Sequence, residues 1–333
     1  MNSQGLFRWI ALPLLLIALL LANLSIGSIA IPVSEISTIL LGGEGSNPVW
    51  KNIVWDFRVP KALTCLLAGS ALSISGLQMQ TLFRNALAGP DVLGITSGAS
   101  LAVSLVFMGF PMGVQQPWAV AIAASAGAVA IFLIMLIISR NLKDNVSLLI
   151  VGLMTGAATS SVISVLQYAS NAEDIQTYLI WTFGSLGALN WAELQVLAVV
   201  LFIGTALSLM LIKPLNLWFL GENYARSLGV NVGPARLGVI LSACILTGGF
   251  TAFCGPLAFV GLAVPHLIKM FLQTHNHRIL IPNVMMAGAS LLLLCDILTK
   301  MPGSNQVLPI NAVTSLIGAP IVIWVILKNK IVD

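Results

Sequence analysis

Charged residues are scarce in this chain: 15 Lys and Arg and 11 Asp and Glu make up 8% of its 333 residues. A soluble domain carries roughly 25% charged residues, whereas 58% of this sequence is hydrophobic. So few charges cannot cover the surface of a water-soluble protein of this length. The composition excludes a cytosolic enzyme, a secreted globular domain and a disordered chain, and it predicts a polytopic membrane protein. The net charge of +4 is then no evidence for nucleic-acid binding, because the placement of cations matters more than their total.

The sequence also lacks a cysteine or histidine pattern typical of a disulfide or metal site. His275 and His277 flank Asn276 with no third ligand in sight, so we predict no metal and no directly bound cofactor. The cysteines lie in apolar runs without a C-x-x-C pair, whereas disulfides and metal sites need closer spacing or an extracellular loop. We predict that they are small packing residues: Cys65, Cys244, Cys254 and Cys295.

Motifs for catalysis and ion coupling are missing as well. No G-x-x-x-x-G-K-[ST] loop is present to hold the phosphates of ATP, so the chain cannot use ATP alone. The absence of H-E-x-x-H, D-D-x-x-D and G-x-S-G elements argues against a membrane-embedded enzyme. The alternative that we keep is an ion-coupled secondary transporter, which usually needs an ionisable residue within the membrane. Asp91, Glu193 and Asp296 instead fall at predicted helix ends.

What the chain does have is a series of long apolar runs. Spanning roughly 30 Å of hydrocarbon takes about 20 apolar residues, and only helices or closed barrels satisfy their backbones in lipid. These runs are too long for barrel strands. They predict an all-α integral membrane protein, one transmembrane domain over residues 1–333, with ten helices at 9–29, 62–83, 92–108, 118–138, 147–168, 194–212, 237–251, 255–265, 280–297 and 309–327.

Charge placement decides how many times the run at 237–265 crosses the membrane. This run is charge-free and is interrupted at Gly248-Gly249 and at Cys254-Gly255-Pro256. Two short crossings there keep the following cations on the cytoplasmic side, as the positive-inside rule expects. Both termini are then cytoplasmic, with eleven cations inside and four outside. The outside cations are Lys51, Arg58, Lys61 and Lys300. The first run has an alternative interpretation as a signal peptide, because Ser28-Ile29-Ala30 resembles a cleavage site.

Two segments on the outer side are expected to be more than simple loops. Residues 31–42 predict a short amphipathic helix with Ser34 as its cap. Residues 175–186 are apolar but too few to cross, so we expect this segment to lie at the outer face of the membrane.

A cytoplasmic segment at about 213–236 has the pattern G-E-x-x-A-x-x-L-G. A short helix with this spacing presents a small, shallow face that suits a partner's groove, although an ordinary interfacial helix has the same pattern. The residues of the motif are Gly221, Glu222, Ala225, Leu228 and Gly229.

Two further motifs contain turn-forming residues. Gly89 and Pro90 predict a tight structural turn after the second helix. In the other motif, glycines and prolines allow close approach of backbones, and His266 at the inner end is expected to be a packed or capping residue. That motif contains Gly255, Pro256, Gly261, Pro265 and His266.

Five signatures follow one another along the chain: R-V-P-K at 58–61, R-N-A-L-A-G-P-D-V-L-G at 84–94, L-G-E-N-Y-A-R-S-L-G at 220–229, G-P-L-A-F-V-G-L-A-V-P-H at 255–266 and L-I-G-A-P at 316–320. In this order they make the sequence resemble the FecCD family, the permease subunits of ABC importers for iron-siderophores, haem and cobalamin. The resemblance extends from about residue 6 to residue 328, and the family's ten-helix subunit agrees with the count above.

The resemblance implies a bacterial cytoplasmic (inner) membrane protein with several partners. These are a pair of ABC ATPase subunits that hold ATP and Mg, a periplasmic or lipid-anchored substrate-binding protein, and a second permease copy or a paralogue. Arg58, Lys61 and Lys300 match outer-face cations that dock the binding protein. The 221–229 motif matches the coupling helices that sit in a cleft of the ATPase.

The resemblance also implies an inner gate, formed by Asn85 and Leu87 and by the turn at Asn145 and Val146. The chain departs from the family pattern in several places, which leaves the transport class intact but weakens any assignment of cargo. The departures are Ala86 where the family usually has Pro, Val146 where it often has a small polar residue, Val307 where it commonly has Glu, and Asn276 where it has Asp.

Overall fold

The computed structural model describes residues 10–27, 29, 31–43, 45–109, 117–142, 145–219, 221–300 and 307–329. The described residues form helices joined by turns, with one isolated bridge between Lys300 and Val307. The first half contains α1 (Leu12–Ser25), α2 (Val33–Leu40), α3 (Pro48–Asn52), a π-helical turn (Ile53–Arg58), α4 (Val59–Leu82), a 3-10 turn (Pro90–Leu93), α5 (Ile95–Ser104), α6 (Pro117–Asn141) and α7 (Asn145–Tyr168). The second half contains α8 (Ala172–Thr182), α9 (Trp191–Met210), α10 (Ile212–Trp218), α11 (Glu222–Ser227), α12 (Val232–Cys254), α13 (Val260–Leu272), α14 (His277–Thr299) and α15 (Ile310–Asn329).

Six helical segments in the described ranges are long and apolar enough to span a membrane. They are 48–82, 117–139, 146–168, 191–210, 232–254 and 277–299. Four shorter apolar helices, of 10–17 residues, accompany them at 12–25, 95–109, 260–272 and 310–324. The architecture is therefore that of an all-helical membrane protein, as the apolar runs predict.

Helix α4 is the centre of the molecule. Of its 24 residues, 18 are buried, and it packs against α1, α9, α10, α12, α13 and α14. Glycines allow the closest of these contacts: a Cβ on Gly76 would lie 1.6 Å from the carbonyl oxygen of Gly261, and one on Gly69 would lie 2.2 Å from that of Gly288. Small residues at such crossings let helices approach closely in membranes, where lipid supplies no hydrophobic force between them.

Side-chain hydrogen bonds link the same helices. Gln78 Nε2 donates to Ser242 Oγ at 3.0 Å, and Ser242 Oγ donates to the carbonyl of Gly204 at 2.9 Å, which joins α4, α12 and α9. Ser75 and Thr247 pair their hydroxyls at 2.8 Å. The Gln78 amide nitrogen and the Ser75, Ser242 and Thr247 hydroxyls thereby find partners inside the bundle rather than facing lipid.

Of the two interruptions predicted in 237–265, the one at Gly248-Gly249 is wrong. Helix α12 continues from Val232 to Cys254 over 23 residues. Gly248 and Gly249 do not interrupt it; a Cβ on Gly249 would lie 2.6 Å from Val200 Cγ1, so the glycine makes room for α9. The chain does turn at the second predicted interruption, between Gly255 (φ +75°) and Phe259 (φ +66°). The second helix, α13, is 13 residues long and begins at Val260 rather than at residue 255.

Both outer segments differ from the prediction in detail. Helix α2 begins after Pro32, and Ser34 makes no cap; its carbonyl accepts hydrogen bonds from the hydroxyls of Ser37 and Thr38 instead. The helix predicted at 175–186 is α8, which begins three residues earlier and ends at Thr182. The prediction for the cysteines is confirmed, because all four are buried and free.

Candidate functional site

The three cations predicted for docking converge on one buried carboxylate and one helix end. Lys61 Nζ, at the start of α4, lies 2.8 Å from Asp296 Oδ1, and Lys300 Nζ lies 3.3 Å from Asp296 Oδ2. The Asp296 side chain is 3% exposed, whereas those of Lys61 and Lys300 are 23% and 17% exposed. Asn23 Nδ2 completes the group by donating to Asp296 Oδ2 at 2.9 Å. We call these residues together with Arg58 the outer cluster.

Arg58 and Lys300 also bind the carboxyl end of α1. The Arg58 guanidinium donates to the carbonyls of Leu24, Ser25 and Ile29, and Lys300 Nζ donates to that of Ile26 at 2.8 Å. The last carbonyls of a helix lack intrahelical partners and carry a partial negative charge, so cations stabilise them. Burial lowers the pKa of the Lys300 amine, although Asp296 opposes this effect. The predicted docking cations are therefore half-buried structural groups as well.

Sequence reasoning missed the part played by Asp296 and Asn23 in this cluster. One local signal was available, because Asp296 and Lys300 stand at i and i+4, the spacing of a helical ion pair. Lys61 and Asn23 are remote in sequence from Asp296, so only the packing of α1, α4 and α14 brings them together.

The G-E-x-x-A-x-x-L-G motif forms the short helix α11, which an ion-pair network holds to α12. Glu222 pairs with Arg226 at 2.9 Å and with Arg236 at 3.0 Å. Arg236 is buried, and its Nη1 donates to the carbonyl of Leu142 at 3.2 Å. Gly221 (φ +114°) and Gly229 (φ +85°) bound the helix in conformations that favour glycine.

The predicted face of this helix requires correction. Ala225 is fully buried and does not contribute to an outward face, whereas Leu228 is 52% exposed and Gly229 is also exposed. Tyr224, which the spacing argument did not single out, is 53% exposed. Arg236, predicted to lie in the loop, belongs to α12.

The predicted gate residues lie on two packed elements. Asn85 and Leu87 belong to the turn after α4, where Leu87 N donates to Asn85 Oδ1 at 2.9 Å, and Leu87 is 46% exposed. Val146 is 64% exposed in the first turn of α7, which begins at Asn145, whose side chain lies outside the described part of the chain. The 3-10 turn that follows (Pro90–Leu93) packs on α7, where a Cβ on Gly152 would lie 2.1 Å from the Val92 carbonyl.

The predicted structural turns have different surroundings. Gly89 and Pro90 are buried. A Cβ on Gly261 of α13 would lie 2.7 Å from Pro90 Cδ, so the close contact between α13 and the 3-10 turn requires glycine at position 261. Gly255 and Pro256 form the turn before α13, where a Cβ on Gly255 would lie 2.5 Å from the Trp181 carbonyl.

Within α13, Pro265 is buried, while His266 is half-buried and lines a cavity instead of capping the helix. No group of three His, Cys, Asp or Glu in the described ranges is placed to hold a metal ion.

Comparison with known proteins gives consistent matches. The FecCD transport family model matches residues 15–328. The haemin transport system permease protein HmuU of Yersinia pestis is 35% identical, with 94% of each chain covered. The vitamin B12 import system permease protein BtuC of Klebsiella pneumoniae is also 35% identical, with 97% of this chain and 94% of that protein covered. A solved metal-chelate type ABC transporter in an inward-facing conformation superposes with a TM-score of 0.84 at 29% identity, over 96% of this chain and 98% of that one.

Proposed function

The chain belongs to the FecCD transport family, and we propose that it is the permease subunit of an ATP-driven importer for a bulky metal chelate. The observation that carries the proposal is the family match over nearly the whole chain, on a fold with six apolar spanning helices. The cargo class that we propose comprises iron-siderophores, haem and cobalamin. Support for this class comes from the haemin and vitamin B12 permeases among the relatives.

We propose that the chain crosses the bacterial cytoplasmic membrane ten times, with both termini in the cytoplasm. The six long helices and the four shorter apolar ones together supply ten candidates. The 13 residues of α13 extend about 20 Å, less than the roughly 30 Å hydrocarbon core. Most residues in the first turns of α13 are buried, and the helix packs against α4, α14 and α15. This packing supports a short membrane crossing that protein, rather than lipid, surrounds.

A second permease copy, or a paralogue, completes the transport path in this proposal. Helix α7 is largely exposed and carries a polar stripe of Ser160, Ser161 and Ser164 on one face. Ser161 and Ser164 donate to the carbonyls of Ala157 and Ser160, each at 3.0 Å, so the stripe is polar but uncharged. Such a face suits a path from which a bulky ligand is released, and it suits lipid poorly.

The outer cluster is the docking element for the substrate-binding protein in this proposal. Three cations and one carboxylate leave a net charge of +2 (three minus one) at this site. These cations are only partly exposed, and their proposed role is to steer and orient an acidic partner.

The exposed side of α11 is the proposed contact with the ATPase subunit. Tyr224 and Leu228 offer apolar area there, and the Glu222 network ties the helix to α12. ATP-driven closure of the ATPase pair would then move α12 and convert closure into alternating access. The ATP and Mg belong to the ATPase, and the permease binds no cofactor of its own.

The test is reconstitution of the chain with its partner ATPase and substrate-binding protein. We expect binding protein loaded with haemin, cobalamin or a ferric siderophore to stimulate ATP hydrolysis in proteoliposomes, and the empty binding protein to stimulate it less. Lack of stimulation by every loaded form contradicts the proposal. Uptake that survives ATP depletion but collapses with an uncoupler would instead favour the ion-coupled carrier, a class that the comparisons do not favour.

A further inference from the structure

A cationic cavity opens at the carboxyl end of α4, away from the outer cluster. Its volume is about 440 Å³. The walls come from the ends of α4 and α13, the start of α14 and the end of α10. The residues that line it are Gln80, Thr81, Arg84, Asn85, Ala86, Phe219, His266, Lys269, Met270, His275, His277 and Leu280.

The charge in this cavity is of one sign. Arg84, Lys269 and three histidines line it, and none of the lining residues is Asp or Glu. None of the ion pairs found in the described ranges includes Arg84 or Lys269. Arg84 is exposed, but Lys269 is partly buried, and a cation that is partly removed from water without a counter-charge is costly. The cavity therefore carries positive charge that no acidic side chain in its lining balances.

The hydrogen bonds of the cavity leave donors available. Lys269 Nζ donates to Gln80 Oε1 at 3.1 Å, which occupies one of its three protons. The His277 ring is fixed between Thr81 Oγ1 at 2.9 Å and Asn216 Oδ1 at 2.8 Å. His277 is thus a structural part of the wall, whereas the Lys269 amine keeps protons to donate.

Arg84 is held at the rim by an unusual backbone conformation. Its φ of +48° is left-handed, which non-glycine residues seldom adopt. The guanidinium lies beside Gly221, where a Cβ would be 3.8 Å from Nη1. A planar guanidinium at the rim and an amine deeper inside form a donor set that matches a phosphate oxyanion.

The rest of the wall suits the apolar part of a lipid. Phe219, Met270 and Leu280 line the cavity, and Phe219 is stacked on His275 with ring centroids 3.9 Å apart. Phe219 and Phe271 are 44% and 55% exposed, so apolar surface continues from the cavity outward. Basic pockets between helix ends on the cytoplasmic side are typical binding sites for anionic lipid headgroups.

We propose that this cavity binds a phosphate oxyanion, supplied by the phosphodiester of an anionic phospholipid headgroup, with the Arg84 guanidinium and the Lys269 amine as its ligands. A free phosphate has the same chemistry and is distinguished by the test. The proposal rests on the cavity alone and stands independently of the transport function.

The test titrates the delipidated full chain in neutral detergent and follows its thermal unfolding midpoint, because a ligand that binds the folded state raises it. The probes are short-chain phosphatidylglycerol, short-chain phosphatidylcholine and inorganic phosphate at constant ionic strength. Arg84→Gln removes one ligand from an exposed turn, so it is expected to fold normally. Arg278→Gln is the matched control, because Arg278 is an exposed cation nearby that does not line the cavity.

We expect saturable stabilisation by phosphatidylglycerol, weakened about tenfold or more in Arg84→Gln and Lys269→Gln and unchanged in Arg278→Gln, as for the loss of one charge-assisted hydrogen bond. Saturable binding of inorganic phosphate with the same dependence on Arg84 also supports the site and identifies free phosphate as the source. Equal affinity for phosphatidylcholine, no saturable binding of either anion, or equal loss in Arg84→Gln and Arg278→Gln overturns the proposal.

Discussion

Lys61 and Asp296 join the outer end of α4 to the end of α14 through an ion pair of 2.8 Å. Because the same carboxylate also pairs with Lys300, one buried acid holds two of the cations proposed to dock the binding protein. Charge reversal of these cations would disturb the fold and the docking surface together. Informative variants must therefore distinguish an effect of lost structure from an effect of changed net charge.

Opposite changes of net charge separate the two effects. Lys300→Gln lowers the net charge of the outer cluster, and Asp296→Asn raises it, while each variant breaks the same ion pair. We expect the association rate with the loaded binding protein at low salt to fall in Lys300→Gln and to be retained or to rise in Asp296→Asn, because steering follows net charge. Stopped-flow or surface-based kinetics checks this, and a similar decrease in both variants would mean that the cluster acts only through structure.

Removal of the carboxylate should also destabilise the protein. Asp296→Asn leaves Lys61 and Lys300 partly buried beside a neutral side chain. We expect the free energy of unfolding to fall by about 2 kcal/mol. This is less than the roughly 3–5 kcal/mol typical of a broken buried pair, because both amines keep some access to water. The unfolding midpoint in detergent measures the loss. Asp56→Asn, at an exposed carboxylate near the outer end of α4, should change the midpoint little.

The Glu222 network gives a second pair of matched variants. Glu222→Gln leaves the buried Arg236 without its counter-charge, so we expect lower stability by about 2–3 kcal/mol and reduced co-purification of the ATPase. Arg226→Gln removes a pair whose arginine side chain is 63% exposed, and such surface pairs contribute about 0.3–0.5 kcal/mol. Equal behaviour of the two variants in thermal unfolding and pull-down would contradict the assigned role of Glu222.

The helix crossing at Gly76 should tolerate no side chain. A Cβ there would lie 1.6 Å from the Gly261 carbonyl oxygen, whereas a Cβ on Gly233 would meet nothing nearer than 4.0 Å. We expect Gly76→Ala to lower the free energy of unfolding by about 1–3 kcal/mol or more, since the backbones of α4 and α13 must move apart. Gly233→Ala should leave it unchanged. Size-exclusion profiles and unfolding midpoints measure the difference, and a monodisperse Gly76→Ala protein with a normal midpoint would contradict the packing.

The stack of His275 on Phe219 should make stability depend on pH. Burial, and secondarily the charge of Lys269, lowers the pKa of His275 below its usual value of 6.5. The unfolded state then binds more protons than the folded state below about pH 6.5, so stability falls as the pH decreases from 7 toward 5. We expect His275→Gln to have a flatter dependence of unfolding midpoint on pH over this range. Identical slopes in the two proteins would show that this ring does not contribute.

Most helices were predictable from the sequence because apolar length is a local property. The run at 118–138 predicts α6 and the run at 147–168 predicts α7, each to within three residues. The glycine pair at 248–249 led to a predicted helix that ends at residue 251, whereas α12 continues to Cys254. Glycine weakens a helix in water, but it allows close helix packing inside a membrane protein.

The sites were predictable only in part, for a similar reason. The spacing of Glu222 and Arg226 is visible in the sequence, whereas the contact of Glu222 with Arg236 depends on how α11 folds against α12. Ala225 has the right spacing for an outward face, but its small size also fits the interior, where the structure places it. The cationic cavity combines four separate segments, so no local pattern could reveal it.

Helix α4 carries Lys61 near one end and Gln80 near the other, 19 residues and roughly 28 Å apart. The ion pair of the outer cluster and the Gln80–Lys269 hydrogen bond at the cavity are thus fixed to the same rod. An uninterrupted helix packed on six neighbours has few ways to bend. We therefore expect a displacement of the Lys61 end of α4 to reach the Gln80 end as a rigid shift of the whole helix.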